Sequence, residues 1–380
     1  MSKLCVNLPP FAPDYSGAAS ALFEMGGLIV IHDASGCTGN YTGFDEPRWY
    51  GSQSMVYCSA LRHMDAVLGN DNKLIKRIEE AVESLKPKFI AVLGSPVPMV
   101  IGTDFKGIAA EIEAITGIPS IGVSTTGLNY YGKGISDATI ALMKKFIKAK
   151  KETIPNTINI LGMTPLDFYI NSNNTDFIKL FEKHGITVNA CYSMGLTIEK
   201  MIDSVSASLN VVVSQAGIGI AEYMKVKYGI PYTVVTPVGD GELAIKQVTE
   251  ALKECTDEYV PQTEDAEILI VGEQIISNSL RQYLQQKHNK SSIVVATLYD
   301  TTPQYQAQGD LKVKNEAHLR KILNSGQFKT VVADPMIKQL IKDDTINFYE
   351  FPHVALSSKL HWEESKQLLS EDTINWMELI

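Results

Sequence analysis

Cys5, Cys37 and Cys58 are the residues whose chemistry stands out in this chain. Cysteine thiolates are soft donors suited to iron, and iron–sulfur clusters depend on such ligands. Cys5 precedes the first strand-like run. Cys37 lies in the loop after it, His32-Asp33-Ala34-Ser35-Gly36-Cys37, and Cys58 follows Met55-Val56-Tyr57. Their spacing matches no compact ferredoxin run, so only loops converging at one sheet edge could make them a site. Gly36 and Gly39 bracket Cys37, as a loop wrapping closely round a cluster requires. The alternative is three ordinary thiols, since free cysteine is commonly buried. Cys191 reads as core packing or as a residue facing a cleft, and Cys255 as a helix residue.

His32 and His63 lie near the cysteine loops, and His353 follows a late strand-like run in Phe351-Pro352-His353. His32 or His63 could donate a proton beside a cluster or simply pack, and His353 stands at a candidate cleft. Gly127-Leu-Asn-Tyr-Tyr-Gly132-Lys133-Gly134 is nearly a phosphate loop, with Gly134 where a Ser or Thr should hold magnesium. Pro96 and Pro98, just after a strand, predict a loop at the carboxyl edge of a sheet. Asp104 is placed to cap the helix after it. Zinc-finger spacing, Gly-x-Ser-x-Gly and His-Glu-x-x-His are all absent, so hydrolase chemistry gains no support.

Short apolar runs must supply the frame for these loops. Gly27 to Ile31, Phe89 to Leu93, Thr157 to Leu161, Asn210 to Val213, Ile268 to Val271, Ile293 to Thr297 and Thr330 to Ala333 are apolar on both faces. Strands covered by helices on both sides have that composition. Amphipathic stretches such as Asn72 to Leu85 and Asn174 to Lys183 alternate with them. The pattern predicts an α/β protein with mainly parallel sheets flanked by helices. A basic helix over Ile135 to Lys151 and a linker at 152–155 close a first unit, 1–155. A second runs over 156–260, and a third, 261–380, follows a polar break around Pro261. The second and third units open alike, either as an internal repeat or as two βαβ units obeying the same physics.

The chain has 380 residues, 45% hydrophobic, with a net charge of -9. That acidity argues against nucleic acid as a partner. No apolar stretch is long enough to span a membrane, and the start lacks a signal-peptide core, which predicts a cytoplasmic protein. The cysteines are too sparse for a disulfide framework.

Several stretches resemble nitrogenase component 1 and its relatives, which include cluster-assembly scaffolds, dark protochlorophyllide reductase and nickel-tetrapyrrole reductases. Ile31-His-Asp-Ala-Ser-Gly36-Cys37 is similar to the family's cluster loop. Asp65-Ala-Val-Leu-Gly69-Asn, Val100-Ile-Gly-Thr-Asp104, Gly185-Ile-Thr-Val-Asn189 and Tyr228-Gly-Ile-Pro231 follow in the family's order. The resemblance implies three Rossmann-like domains, and a cluster held between two related subunits. It also implies an ATP-dependent iron–sulfur reductase as partner. Cys5 and Cys37 fall at the first two cluster cysteines, whereas Pro96 stands where the third would be. Cys58 could replace that ligand. Otherwise Cys5 and Cys37 from each of two chains, in a homodimer or a heteromer with a related subunit, would hold one 4Fe–4S cluster; a larger cluster would need Cys58 as well. The expected activity is that of the catalytic component of a two-component reductase, with candidate cleft residues His32, His63, Cys191 and His353. The alternatives are a non-catalytic assembly scaffold and a cluster-free small-molecule-binding protein.

Overall fold

The computed structural model describes residues 6–52, 54–253, 259–290 and 292–380. Its strands form three sheets, parallel throughout. The first holds β1 (Leu28–Ile31), β2 (Val56–Cys58), β3 (Ile90–Leu93) and β4 (Ser120–Val123), in the order β2-β1-β3-β4. The second holds β5 (Ile154–Met163), β6 (Thr187–Ser193), β7 (Ala207–Val212) and β8 (Tyr232–Val234), in the order β6-β5-β7-β8. The third holds β9 (Ile268–Gly272), β10 (Ile293–Thr297), β11 (Leu311–Lys312), β12 (Thr330–Ala333) and β13 (Asn347–Glu350), in the order β11-β10-β9-β12-β13. All residues of β1, β3, β10 and β12 are buried, as continuous apolar runs under helices on both faces should be.

In each sheet the opening strand has its second strand on one side and a later strand on the other. The chain reverses its direction of winding there, and loops leaving the carboxyl ends of those neighbours part to form a crevice. The crevices lie between β1 and β3, β5 and β7, and β9 and β12.

The first unit carries helices α1 (Asp14–Leu22), α2 (Gly36–Asn40), α3 (His63–Leu68), α4 (Asp71–Leu85), α5 (Pro96–Val100), α6 (Phe105–Thr116) and α7 (Tyr131–Phe146). Every residue of α1 is buried. It crosses α7 where glycines let the backbones touch: a Cβ on Gly17 would collide with the Tyr131 carbonyl, and one on Gly134 with that of Asp14. Gly134 is therefore glycine for helix packing.

Local differences from the sequence reading have physical causes. β5 begins at Ile154, inside the stretch read as a linker. The helix expected to reach Lys151 ends at Phe146. Ile147 turns extended and stays buried, while Lys144 and Lys148, one turn apart, would repel in a continued helix. The expected loop at Pro96 winds into the single turn α5, with proline at its start where a missing N–H costs nothing.

Replacing Gly134 with alanine should destabilise the fold by about 1–3 kcal/mol, the usual range for overpacking. Urea unfolding measures this; an unchanged midpoint would show that α1 and α7 do not meet there.

Candidate functional site

Asp33 organises the cysteine loop at the crevice of the first sheet. One of its carboxylate oxygens, Oδ2, accepts from the backbone N–H groups of Ser35 at 2.8 Å and Cys37 at 2.9 Å. Its backbone carbonyl faces the Cys58 Sγ at 3.3 Å, and that sulfur accepts from the Ala60 N–H at 3.2 Å. Cys58 ends β2, paired with Ile31 at the end of β1, so sheet register brings the two cysteines to one edge. Ser35 has φ 150°, a strained value that the bonds to Asp33 hold in place.

Both thiols are half-buried. The Tyr15 hydroxyl donates to the Cys37 sulfur. Burial, with the Asp33 charge behind it, still pushes the Cys37 thiol up. Alone, this chain keeps Cys37 protonated; a bound metal reverses that, because a coordinating thiol is deprotonated outright. A Cβ on Gly36, Gly39 or Gly43 would meet nothing within 4 Å. Among the described residues nothing wraps closely on Gly36, and this side of the loop faces open space.

Two soft donors bordering open space suit an iron–sulfur cluster, and Cys37 and Cys58 would hold it. Among the described residues no third His, Cys, Asp or Glu joins them in a metal-binding group. Cys5 lies outside the described residues. Ser95, just before Pro96, binds the His32 carbonyl at 2.8 Å instead of offering a ligand.

His32 is buried against Ser59, its Nδ1 2.8 Å from that hydroxyl, and burial pushes its pKa down. It supports the loop and packs near Phe105. His63 begins α3, exposed to solvent. Cys191 is buried in the core of the second unit, its thiol pushed up to about 12 by burial. The structure does not gather these three into one cleft.

His353 occupies a second locus, where the crevices of the second and third sheets meet α7. Asp167, in the turn after β5, accepts on one oxygen, Oδ1, from the Tyr131 hydroxyl at 2.5 Å and from His353 Nε2 at 2.8 Å. His353 Nδ1 lies 2.8 Å from the Tyr299 hydroxyl. With Nε2 donating to Asp167, Nδ1 is left to accept from the Tyr299 hydroxyl. Glu273, just after β9, accepts from the N–H groups of Gln215, Ile275 and Ile276. Burial and the Asp167 charge push its pKa up. Asp334, just after β12, holds the His353 N–H at 2.8 Å. The second carboxylate oxygen of Asp167 is buried without a partner.

Sequence reading singled out His353 but not Asp167, Tyr131, Tyr299 and Glu273, which the structure packs around it. Only their position after strand ends could have pointed to them, and strand order is not written in any local motif.

The Gly127 loop holds an internal anion. Asp14 accepts from the backbone N–H groups of Thr126 at 3.0 Å and Gly127 at 2.7 Å, and from Asn129 Nδ2 at 3.1 Å. These donors would otherwise suit a phosphate. A cleft of about 780 Å³ between the second and third units, lined by Tyr232, Gln247, Asn278 and Tyr305, contains none of the residues above.

Beneath the cysteine loop, Asp45 accepts from Ser16 Oγ at 2.6 Å and Asn40 Nδ2 at 2.8 Å. Burial pushes its pKa up to about 7. A pKa raised on folding contributes stability that is full below the unfolded value, about 4, and is lost as pH rises through about 7. Asp45→Asn keeps an acceptor and has no charge to bury. Its stability relative to the parent should climb from acid to neutral pH and level off above, at up to about 1.4 kcal/mol per pH unit. A difference flat across that range in urea titrations would show Asp45 ionised throughout.

The sequence profile of the nitrogenase component 1 type oxidoreductases matches residues 13–300. The nitrogenase molybdenum-iron protein alpha chain of Clostridium pasteurianum is 30% identical over 250 residues, covering 62% of this chain and 44% of that one. The nitrogenase iron-molybdenum cofactor biosynthesis protein NifE of Methanococcus maripaludis is 26% identical over 261 residues, 66% of this chain and 53% of that protein. One component of the light-independent protochlorophyllide reductase of Prosthecochloris aestuarii is 24% identical, covering 52% of this chain and 37% of that polypeptide. This chain thus spans about half the length of the curated relatives it matches. The solved structure of nitrogenase Cp1 at pH 6.5 superposes with a TM-score of 0.74 at 15% identity, over 100% of this chain and 94% of that one. Among the described residues no helix is long and apolar enough to cross a membrane. With the profile covering most of its length and the three parallel sheets in place, the chain belongs to the nitrogenase component 1 type oxidoreductase family.

Proposed function

We propose that this chain is the catalytic component of a two-component, ATP-dependent iron–sulfur reductase of the cytoplasm. The observation that carries the reading is the pair of half-buried thiols, Cys37 and Cys58, tied to one residue, Asp33, beside open space. A 4Fe–4S cluster there needs more thiolates than this pair supplies. Cys5, a second copy of the chain, or a related subunit completes the set. Exposed apolar side chains nearby, among them Met64, Val67 and Leu68 of α3 and Val100 of α5, are what a covering subunit would bury.

When bound, the cluster supplies electron transfer, fed by a separate reductase that hydrolyses ATP. The chain's own residues do the rest. Asp33 fixes the loop, Tyr15 holds the Cys37 sulfur, Ser95 ties the His32 carbonyl, and His32 braces the turn through Ser59. At the second locus the His353 ring keeps a proton on Nε2 against Asp167, with Tyr299 behind it. That relay is suited to delivering protons to a reduced substrate.

A second reading is a non-catalytic scaffold for cluster or metallocofactor assembly. Two observations favour it: Pro96 in place of a cluster cysteine, and Tyr131, Tyr299 and His353 filling the junction so that each is nearly inaccessible.

Protein purified without oxygen should contain stoichiometric iron and sulfide, and Cys37→Ser should lose most of both. Iron-free wild-type protein sinks both cluster readings. Reduction by an ATP-hydrolysing iron–sulfur partner, followed by turnover, distinguishes reductase from scaffold. In a reductase, His353→Gln should slow turnover at least about tenfold, within the usual worth of a general acid, and leave the iron content unchanged.

A further inference from the structure

The Asp167–His353 locus is closed. Tyr131, Asp167, Tyr299 and His353 are all buried, and the second oxygen of Asp167 has no donor among the described residues. A relay that hands protons to a substrate has to meet it, so part of its cover has to move. Asp167 lies in a single helical turn, Pro165–Phe168, and His353 precedes another, Val354–Ser357. The two turns pack on each other, and every residue of both is buried. Tyr169 ends the first with φ 57° and ψ -163°, and Ser358 ends the second with φ 52° and ψ -142°. Both conformations lie close to a region that only glycine enters freely. A tyrosine and a serine stay there because their surroundings over-determine them, and strain of that kind gathers at switch segments.

The surroundings of Ser358 are a short surface segment, Ser358–Glu364, made of two 3₁₀ turns. Its inward residue is Trp362, 6% exposed. The Trp362 ring meets Tyr169 of the second unit edge-on, centroids 6.2 Å apart, and Tyr50 of the first at 6.4 Å. Lys359 lies 4.5 Å over the Tyr50 ring, and Ser358 Oγ donates to the Phe44 carbonyl. Tyr50 and Lys359 are exposed, so this latch can exchange its contacts for water. The far end is fixed by the backbone instead. Asn171 Nδ2 donates to the Ser365 and Lys366 carbonyls at 3.2 Å, and Asn173 Oδ1 accepts from the Leu368 N–H at 2.8 Å.

We propose that Ser358–Glu364 is a hinged flap at the Asp167–His353 locus: it swings at Ser358, withdraws Trp362 from Tyr169, and lets a substrate reach the relay. Strain at Ser358 and Tyr169 favours release, and the rings of the latch oppose it. This rests on the proton-delivery reading above, and it gives the first unit control over admission to a locus built by the second and third.

The test follows modification of His353 by diethyl pyrocarbonate, read by peptide mass spectrometry on the full chain purified without oxygen, with exposed His63 as internal standard. Ser358→Gly and Ser358→Ala both lose the bond to Phe44, but only glycine relieves the strained backbone. His353 should react at least about threefold more slowly in the glycine variant than in the alanine variant, since relief of such strain favours the closed flap. Tyr50→Ala, a surface change that removes the latch, should speed the reaction at least about threefold over the parent, as the loss of an aromatic contact implies. Equal rates in the two Ser358 variants would overturn the hinge, and the parental rate in Tyr50→Ala would overturn the latch. A His353 that stays unreacted in every variant while His63 reacts would overturn the flap altogether. The proton-delivery reading fails separately, if His353→Gln leaves turnover unchanged, because the modification rates do not depend on turnover.

Discussion

One carboxylate oxygen, Asp167 Oδ1, receives a hydrogen bond from each of the other two units: Tyr131 from the first and His353 from the third. All three side chains are buried, so none can exchange its partner for water. Breaking either bond would strand a polar group in the interior, which costs more than a surface bond returns. The geometry also propagates. Tyr131 opens α7, its carbonyl abuts Gly17 of α1, and α1 carries Tyr15 to the Cys37 sulfur. The cysteine loop is thereby tied to the junction of the three units through one helix crossing.

Parallel sheets explain why the chemistry gathers where it does. A strand cannot turn directly into a parallel neighbour, so the chain leaves each carboxyl end by a loop and crosses back over a helix. Loops at the reversal of strand order part and leave side chains exposed to a crevice. Asp33 follows β1, Asp167 follows β5, Glu273 follows β9 and Asp334 follows β12. Asp33, Glu273 and Asp334 accept backbone donors from the turns beside them, whereas Asp167 accepts side-chain donors from the other two units. The recurrence needs no common ancestor among the units, because the same winding places the same demand on each.

Much of the frame was legible because strands buried on both faces are apolar throughout, and β1, β3, β10 and β12 show it. Asp104 caps α6 as its position before an amphipathic run implied. What escaped reading were pairings across long separations. Nothing near Asp167 announces Tyr131 or His353. Gly134 looked like a failed magnesium ligand because a glycine required by helix contact and one required by a phosphate loop are the same letter. The short turn of α5 escaped because proline ends helices far more often than it begins them, although its first position is where it fits.

The balance of buried charge says what kind of chemistry the junction favours. Asp167, Glu273 and Asp334 are buried near one another, and no Lys or Arg is hydrogen-bonded to them among the described contacts. Carboxylates held in a low dielectric repel, and the cheapest relief is to keep protons among them. Burial raises the pKa of Glu273 and of Asp334, and at Glu273 the Asp167 charge adds to it. Among the described residues the one nitrogen base bonded into the group is His353, positioned between Asp167 and a tyrosine hydroxyl. Such a cluster stores protons without storing positive charge.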